Sequence, residues 1–90
     1  MSHYRIELVP SVVRALRKVE PAMQARLRGV IALLAEEPRP PGARRLQGRP
    51  GLRVRVGDYR IIYVVEDDVL RVLVLVLAVG HRRDVYRGDA

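Results

Sequence analysis

One segment of the sequence constrains the fold more than any other, because two strand-like stretches flank a short turn. Leu52–Val56 alternates apolar and charged residues, and Tyr59–Val65 is rich in the β-branched and aromatic residues that favour strands. Gly57-Asp58 between them is typical of a two-residue hairpin turn with glycine first. The sequence therefore predicts an antiparallel β-hairpin here.

The flanking segments predict the remaining elements. Tyr4–Val9 alternates enough to form a first strand, and apolar residues at helical spacing then predict two consecutive helices, opened by Pro10 and Pro21. Proline and glycine punctuate residues 38–51, which indicates a loop. Val69–Val79 is apolar on both faces, so we expect it to lie centrally in the sheet, between the first strand and the returning hairpin strand.

These elements predict a single α+β domain over residues 1–90. It consists of an N-terminal strand, an antiparallel helical hairpin and three antiparallel strands, which form one four-stranded sheet with the helices packed on one face. Gly29 falls inside the second predicted helix, where we expect it to allow close helix contact at a cost of about 1 kcal/mol.

The composition excludes several classes of protein. The chain has no cysteine, which removes disulfides, thiolate catalysis and cysteine zinc sites and fits a reducing cytoplasm. We expect no signal peptide, and the apolar run 72–79 is too short to cross a membrane. The two histidines are far apart in sequence, and the Asp67-Asp68 pair is interpreted as a solvated hairpin tip. We therefore expect a cytoplasmic protein without metal or cofactor.

Positive charge is concentrated in one segment. The chain carries a net charge of +7, and residues 38–60 contain seven arginines but one acidic residue, Asp58. Sixteen of the seventeen cationic residues are arginine, the residue type suited to bidentate phosphate contacts. A GC-rich genome explains the preference for arginine over lysine but not the clustering. The cluster predicts a polyanionic partner, with RNA as the first candidate.

The predicted hairpin brings three arginines onto one face. A two-residue turn places Arg55 directly opposite Arg60, with Arg53 on the same face opposite Ile62. Like charges directly opposite each other destabilise a sheet by at least a few tenths of a kcal/mol. Their retention indicates an anion that binds between them, although a solvated face on which the arginines splay apart stays open as the alternative.

The C-terminal segment adds groups with other chemistry. His81-Arg82-Arg83-Asp84-Val85-Tyr86-Arg87 follows the central strand and offers an imidazole that titrates near neutrality, three guanidinium groups and a phenol able to stack on a base. Taken singly, His81 fits a surface residue and Tyr86 a packing residue. Beside the arginine hairpin, the two together indicate a functional site.

The segments Leu46–Gly48, Leu52–Tyr63 and Val79–Tyr86 closely resemble the RelE/ParE superfamily of bacterial toxins from toxin–antitoxin systems, and the RelE branch in particular. The resemblance extends over the whole chain. It implies a toxin that enters the ribosomal A site and cuts mRNA without a metal. The ribose 2′-oxygen attacks the adjacent phosphate and leaves a cyclic phosphate and a 5′-hydroxyl.

The resemblance also implies roles for individual residues. The positions that match the family's basic and aromatic site residues are Arg53, Arg55, Arg60, Arg82 and Tyr86. Because arginine effectively cannot accept a proton, we add His81 as the candidate for proton transfer. The other cations are predicted to bind RNA: Arg44, Arg45, Arg49, Arg83 and Arg87.

The expected partners are the ribosome, mRNA and a RelB-like antitoxin that presents acidic residues to the arginine-rich face. Such antitoxins often bind DNA, which gives the toxin an indirect contact with DNA. Three alternatives stay open: a ParE-like inhibitor of DNA gyrase, a non-catalytic nucleic-acid-binding module, and a toxin that has lost its activity. ParE-type members usually lack the full set of basic and aromatic tail residues that this chain retains.

Overall fold

The predicted hairpin, helices and long strand are all present in the computed structural model, which describes residues 3–79. In chain order the elements are β1 (Arg5–Leu8), α1 (Pro10–Arg17), α2 (Pro21–Leu34), β2 (Arg44–Arg45), β3 (Leu52–Val56), β4 (Tyr59–Glu66) and β5 (Arg71–Val79). The last strand begins two residues later than predicted, because residues 67–70 form the turn that precedes it.

The sheet has the order β1-β5-β4-β3-β2, with β1 parallel to β5 and the other neighbours antiparallel. The long strand β5 thus lies between β1 and β4, as its apolar character on both faces predicted. The count of four strands was wrong, because β2 pairs with β3 inside the predicted loop. A pairing of two residues leaves no periodic pattern in the sequence.

The two helices begin where proline predicted. Pro10 and Pro21 occupy the first turns of α1 and α2, where a missing backbone N–H costs nothing. The Glu20 carboxylate caps α2 by accepting a hydrogen bond from the Met23 backbone N–H at 3.0 Å. Both helices bury their apolar stripes, which are Val12 and Leu16 in α1 and Leu27, Ile31 and Leu34 in α2.

Alternation along the strands divides the sheet into two faces. The core face carries the side chains that join the helices in one buried cluster: Val54, Val56, Ile61, Tyr63, Val72 and Val74. The residues between them point to the opposite face, which we call the outer face; they include Arg53, Arg55, Arg60, Ile62 and Val76. The outer face is therefore the side of the sheet that presents the arginines.

Two glycines have different reasons for their positions. Gly57 has φ of 60°, which favours glycine and matches the predicted turn with glycine first. Gly29 does not allow close helix contact, because a Cβ built there meets nothing within 4 Å. That expectation was wrong, since this part of α2 faces solvent.

Neither helix within residues 3–79 has the length and apolar content that a membrane crossing requires.

Candidate nucleic-acid interface

The hairpin formed by β3 and β4 has the predicted register. Arg55 lies opposite Arg60 and Arg53 lies opposite Ile62, with Val56 paired to Tyr59 across the turn. Alternation buries Val54 while Arg53 and Arg55 stay exposed on the outer face. The short strand β2 adds a fourth cation to this face, because Arg44 pairs directly with Arg53.

These four arginines line one depression at the edge of the sheet. The depression has a volume of about 330 Å³ and is lined by Gly42, Arg44, Arg53, Val54, Arg55, Tyr59 and Arg60. We call it the arginine concavity. Sequence reasoning missed Gly42 as a lining residue, since its position depends on how the loop before β2 returns to the sheet. The pairing of Tyr59 with Val56 was predicted, but its place beside the arginines was not.

The charge of the arginine concavity is not balanced by nearby carboxylates among the described residues. Within residues 3–79, ion pairs involve Arg5, Arg39 and Arg71, and none involves the four concavity arginines. Arginine stays protonated at any physiological pH, so these side chains keep their charge. Four guanidinium groups that no carboxylate of the described residues pairs with line one space, and such a site is suited to a phosphate or carboxylate group.

A broader depression adjoins the arginine concavity. Its volume is about 830 Å³, and it shares Arg44 and Arg53 with the concavity while adding Ala43, Arg45, Leu46 and Gln47. Arg45 pairs with Leu52, whose side chain is directed to the core face, so Arg45 projects away from the outer face. Arg49 lies exposed in the loop between β2 and β3.

The loop that carries these arginines is anchored at its start. Arg39 donates two hydrogen bonds to the Asp67 carboxylate, at 3.3 and 2.8 Å, and the Tyr4 hydroxyl donates a third at 2.6 Å. The buried Tyr63 hydroxyl donates to the Pro38 carbonyl at 2.7 Å. Asp67 is therefore not merely a solvated hairpin tip, as the sequence indicated, but a partner of the loop and of the N-terminal strand.

The same contacts shift the pKa values of the groups involved. The Arg39 guanidinium, followed by the Tyr4 hydroxyl, lowers the pKa of the Asp67 carboxyl below its usual range. Hydrogen bonding to Asp67 raises the pKa of Tyr4, and burial raises the pKa of Tyr63 to about 12. Both phenols thus stay protonated near neutral pH and donate their hydrogen bonds to the loop anchor.

The other predicted site residues lie outside the described residues: His81, Arg82, Arg83, Tyr86 and Arg87. The chain leaves β5 at Val79, whose partner in β4 is Tyr59, the neighbour of Arg60. Within residues 3–79, no cluster of three or more histidine, aspartate or glutamate side chains is placed to hold a metal ion.

Comparisons with known proteins identify the family. A family model described as the ParE toxin of a type II toxin–antitoxin system matches residues 6–86. A chain of the archaeal RelE–RelB complex from Pyrococcus horikoshii is 30% identical, with a TM-score of 0.81 and a match that covers 89% of this chain and 98% of that chain. The chain therefore belongs to the RelE/ParE superfamily of toxins from type II toxin–antitoxin systems.

Further solved structures share the fold. The isolated E. coli RelE toxin is 22% identical at a TM-score of 0.78, and the match covers 96% of this chain and 94% of that chain. A chain of the intact E. coli RelBE toxin–antitoxin complex is also 22% identical, at a TM-score of 0.76, with 88% and 99% covered. A search of the curated proteins found no match.

Proposed function

We propose that this toxin is a metal-independent endoribonuclease that cleaves mRNA on the ribosome and thereby inhibits translation. The observation that carries the proposal is the arginine concavity, in which four cations surround one space at the sheet edge. Guanidinium groups bind phosphate through paired, charge-assisted hydrogen bonds. The likeness to RelE structures also supports the proposal. Among the structures compared above, the chain of the Pyrococcus horikoshii complex has the highest sequence identity.

In the proposed reaction, the ribose 2′-hydroxyl loses its proton and its oxygen attacks the adjacent phosphorus. The bond from phosphorus to the 5′-oxygen breaks, and that oxygen takes up a proton, which yields a cyclic phosphate and a 5′-hydroxyl. Negative charge accumulates on the phosphoryl oxygens during attack. Arg53, Arg55 and Arg60 are assigned to stabilise that charge, since cations fixed before the reaction need no reorganisation. Arg82, in the C-terminal segment that follows β5, is assigned the same role.

Proton transfer needs a different residue type. Because the guanidinium group effectively cannot release its proton, Arg53 and Arg55 position and neutralise the phosphate rather than act as a base. His81 is the proposed proton-transfer group, and Tyr86 is proposed to orient or stack on the target nucleotide. If His81→Ala cleaves ribosome-bound mRNA at the wild-type rate, the assignment to His81 is wrong.

The proposed partner is a RelB-like antitoxin, because solved relatives include RelE–RelB complexes. We propose that this antitoxin inhibits the toxin by presenting carboxylates to the arginine concavity, where they replace the RNA phosphate. Such an antitoxin also supplies the proposed indirect contact with DNA. Translating ribosomes are the site of action in this proposal, which requires a cytoplasmic location.

Primer-extension mapping of mRNA after induction of the toxin tests the proposal. We expect discrete cuts within translated regions for the wild type and strongly reduced cuts for Arg60→Ala at equal protein level. Cuts that persist at the wild-type level in Arg60→Ala would contradict the role of the concavity. RNA binding without any cuts would instead indicate a non-catalytic binding module or a toxin that has lost its activity.

A second candidate function is inhibition of DNA gyrase. The specific observation in its favour is that the matching family model is described as a ParE toxin. Incubation of the toxin with gyrase and supercoiled DNA separates the two proposals. The nuclease proposal predicts unchanged gyrase activity at toxin concentrations that cleave ribosome-bound mRNA, whereas a gyrase inhibitor would accumulate cleaved DNA and leave mRNA intact.

A further inference from the structure

The edge strand β2 directs adjacent arginines to opposite sides of the sheet. Arg44 pairs with Arg53 of the outer face, whereas Arg45 pairs with Leu52, whose partner Tyr63 belongs to the core face. Side chains of successive strand residues point to opposite faces. The edge of the sheet is therefore flanked by a guanidinium group on each side, and both groups are exposed.

A separate depression lies on the Arg45 side of this edge. Its volume is about 360 Å³, and it is lined by Arg39, Arg45, Pro50, Gly51, Leu52 and Val65. Gly51 has φ of 127°, and a Cβ there would lie 3.0 Å from Leu46 Cδ1 and 3.2 Å from the Tyr63 carbonyl oxygen. Glycine thus lets the chain pass close to Leu46 and the Tyr63 carbonyl behind the depression, while Arg39 and Arg45 supply its two charged groups.

The depressions are connected through shared arginines. The arginine concavity and the broader depression share Arg44 and Arg53, and the broader depression shares Arg45 with the depression beside Gly51. Cationic side chains consequently follow one another from the outer face, around β2, to the opposite side. A charged groove that follows the backbone is the usual way in which proteins hold a single strand of nucleic acid.

We propose that the depression between Arg39 and Arg45 is a second phosphate site, which binds the backbone of the same single-stranded RNA that occupies the arginine concavity. This inference rests on the proposed function. Asp67 already pairs with Arg39 at 2.8 Å, so Arg39, Arg45 and Asp67 together carry a single net positive charge. The second site therefore holds a flanking phosphate and adds affinity, whereas the more strongly cationic concavity holds the scissile phosphate.

The test compares RNA of two lengths. Binding of 2′-O-methyl RNA, which lacks the attacking hydroxyl, is measured by fluorescence anisotropy for a trinucleotide and a dodecamer. Arg45→Gln should weaken dodecamer binding roughly five- to tenfold at low salt and reduce the slope of log K against log salt by about 0.7, the value for one phosphate contact. It should leave trinucleotide binding unchanged, and Arg45→Lys should restore the slope.

Two matched variants complete the design. Arg28→Gln removes the same charge from an exposed position of α2 that lines none of the three depressions, and it should change the binding of neither RNA. Arg44→Gln should weaken both RNAs, because Arg44 belongs to the concavity. The second site is refuted if Arg45→Gln behaves like Arg28→Gln, or if it weakens both lengths equally.

Binding of a duplex dodecamer distinguishes single-stranded RNA from structured RNA as the ligand of the second site. If Arg45→Gln weakens the duplex but not the single strand, the ligand is structured RNA and the proposed single-stranded path is wrong. None of these results depends on cleavage. If Arg45→Gln does not weaken dodecamer binding, the second site is refuted but the nuclease proposal stands. If the nuclease proposal fails, mRNA stays intact while Arg45→Gln still weakens dodecamer binding.

Discussion

Arginines on the outer face of the sheet fall into two groups that differ in their surroundings. At one end, Arg71 donates to Glu7 at 2.8 Å and also pairs with Glu66, while Arg5 lies 3.9 Å from Glu7; we call Arg5 and Arg71 the paired arginines. At the other end, the four arginines of the concavity have no carboxylate within ion-pairing distance in residues 3–79.

Both groups place arginine directly opposite arginine. Arg5 is the strand partner of Arg71, and Arg55 is the strand partner of Arg60. Glu7 and Glu66 compensate the repulsion at the first end, and no carboxylate of residues 3–79 pairs with an arginine at the second. The ion pairs of the paired arginines stabilise that end of the sheet, whereas the concavity arginines are the group that we propose to bind an external anion.

The largest expected effect tests the concavity. Arg60→Ala should lower the rate of cleavage of ribosome-bound mRNA by about 10²-fold, because a preorganised cation is removed from the transition state. Stability should change by less than about 0.5 kcal/mol, as for surface substitutions that break no other contact. Single-turnover cleavage and urea unfolding measure the two quantities on the same preparation.

Arg5→Ala is the matched control for that variant, because it removes a cation from the same face of the same sheet. We expect the rate of cleavage to stay within about twofold of the wild-type rate, because Arg5 does not line the concavity. Equal losses for Arg5→Ala and Arg60→Ala would show that total charge, not the concavity, determines activity.

The paired arginines should show the opposite behaviour. Arg71→Ala should lower the urea midpoint more than Arg60→Ala does, because Glu7 and Glu66 lose their shared partner and repel each other. Cleavage per folded molecule should stay at the wild-type level. A variant that keeps its midpoint but loses cleavage would place Arg71 in the functional site and remove the contrast between the groups.

Arg39 also forms an ion pair, with Asp67, and the pH dependence of stability tests this pair. The pKa of Asp67 is lower in the folded protein than its ordinary value of 3.8. The resulting stabilisation is fully present above the unfolded pKa and is lost as the pH falls through the folded pKa. Asp67→Asn should therefore be less stable than the wild type at pH 7, by less than Arg71→Ala, with the difference shrinking below about pH 4.

Asp68→Asn provides the control, because Asp68 lies exposed in the same turn. Urea midpoints at pH 7 and pH 3 should be the same for this variant as for the wild type. A pH-independent gap between Asp67→Asn and the wild type would mean that the Asp67 carboxylate is not the source of the stabilisation.

The smallest expected effect calibrates stability without touching either group of arginines. Gly29→Ala should stabilise the protein by up to about 1 kcal/mol, since alanine is the better helix former and its Cβ meets nothing within 4 Å. Thermal unfolding measures the gain, and cleavage should be unchanged. A loss of stability would contradict the open space around position 29.

The sequence predicted the parts of the fold that depend on local patterns. Alternation in residues 52–65 predicted the hairpin and the Arg55–Arg60 pairing, and the doubly apolar run predicted the central position of β5. It did not predict β2, the lining role of Gly42 or the bonds that Asp67 makes to Arg39 and Tyr4. Those contacts join residues far apart in sequence, and polar side chains at such sites carry no periodicity.

Nuclear magnetic resonance of the arginine side chains tests the central claim most directly. An uncleavable RNA trinucleotide is titrated into the toxin while the Nε–H signal of each arginine is followed. We predict that shifts concentrate on Arg44, Arg53, Arg55 and Arg60 and leave Arg5 and Arg71 nearly unchanged. Shifts spread evenly over all six side chains, or confined to Arg5 and Arg71, would contradict the claim that the arginine concavity receives the RNA phosphate.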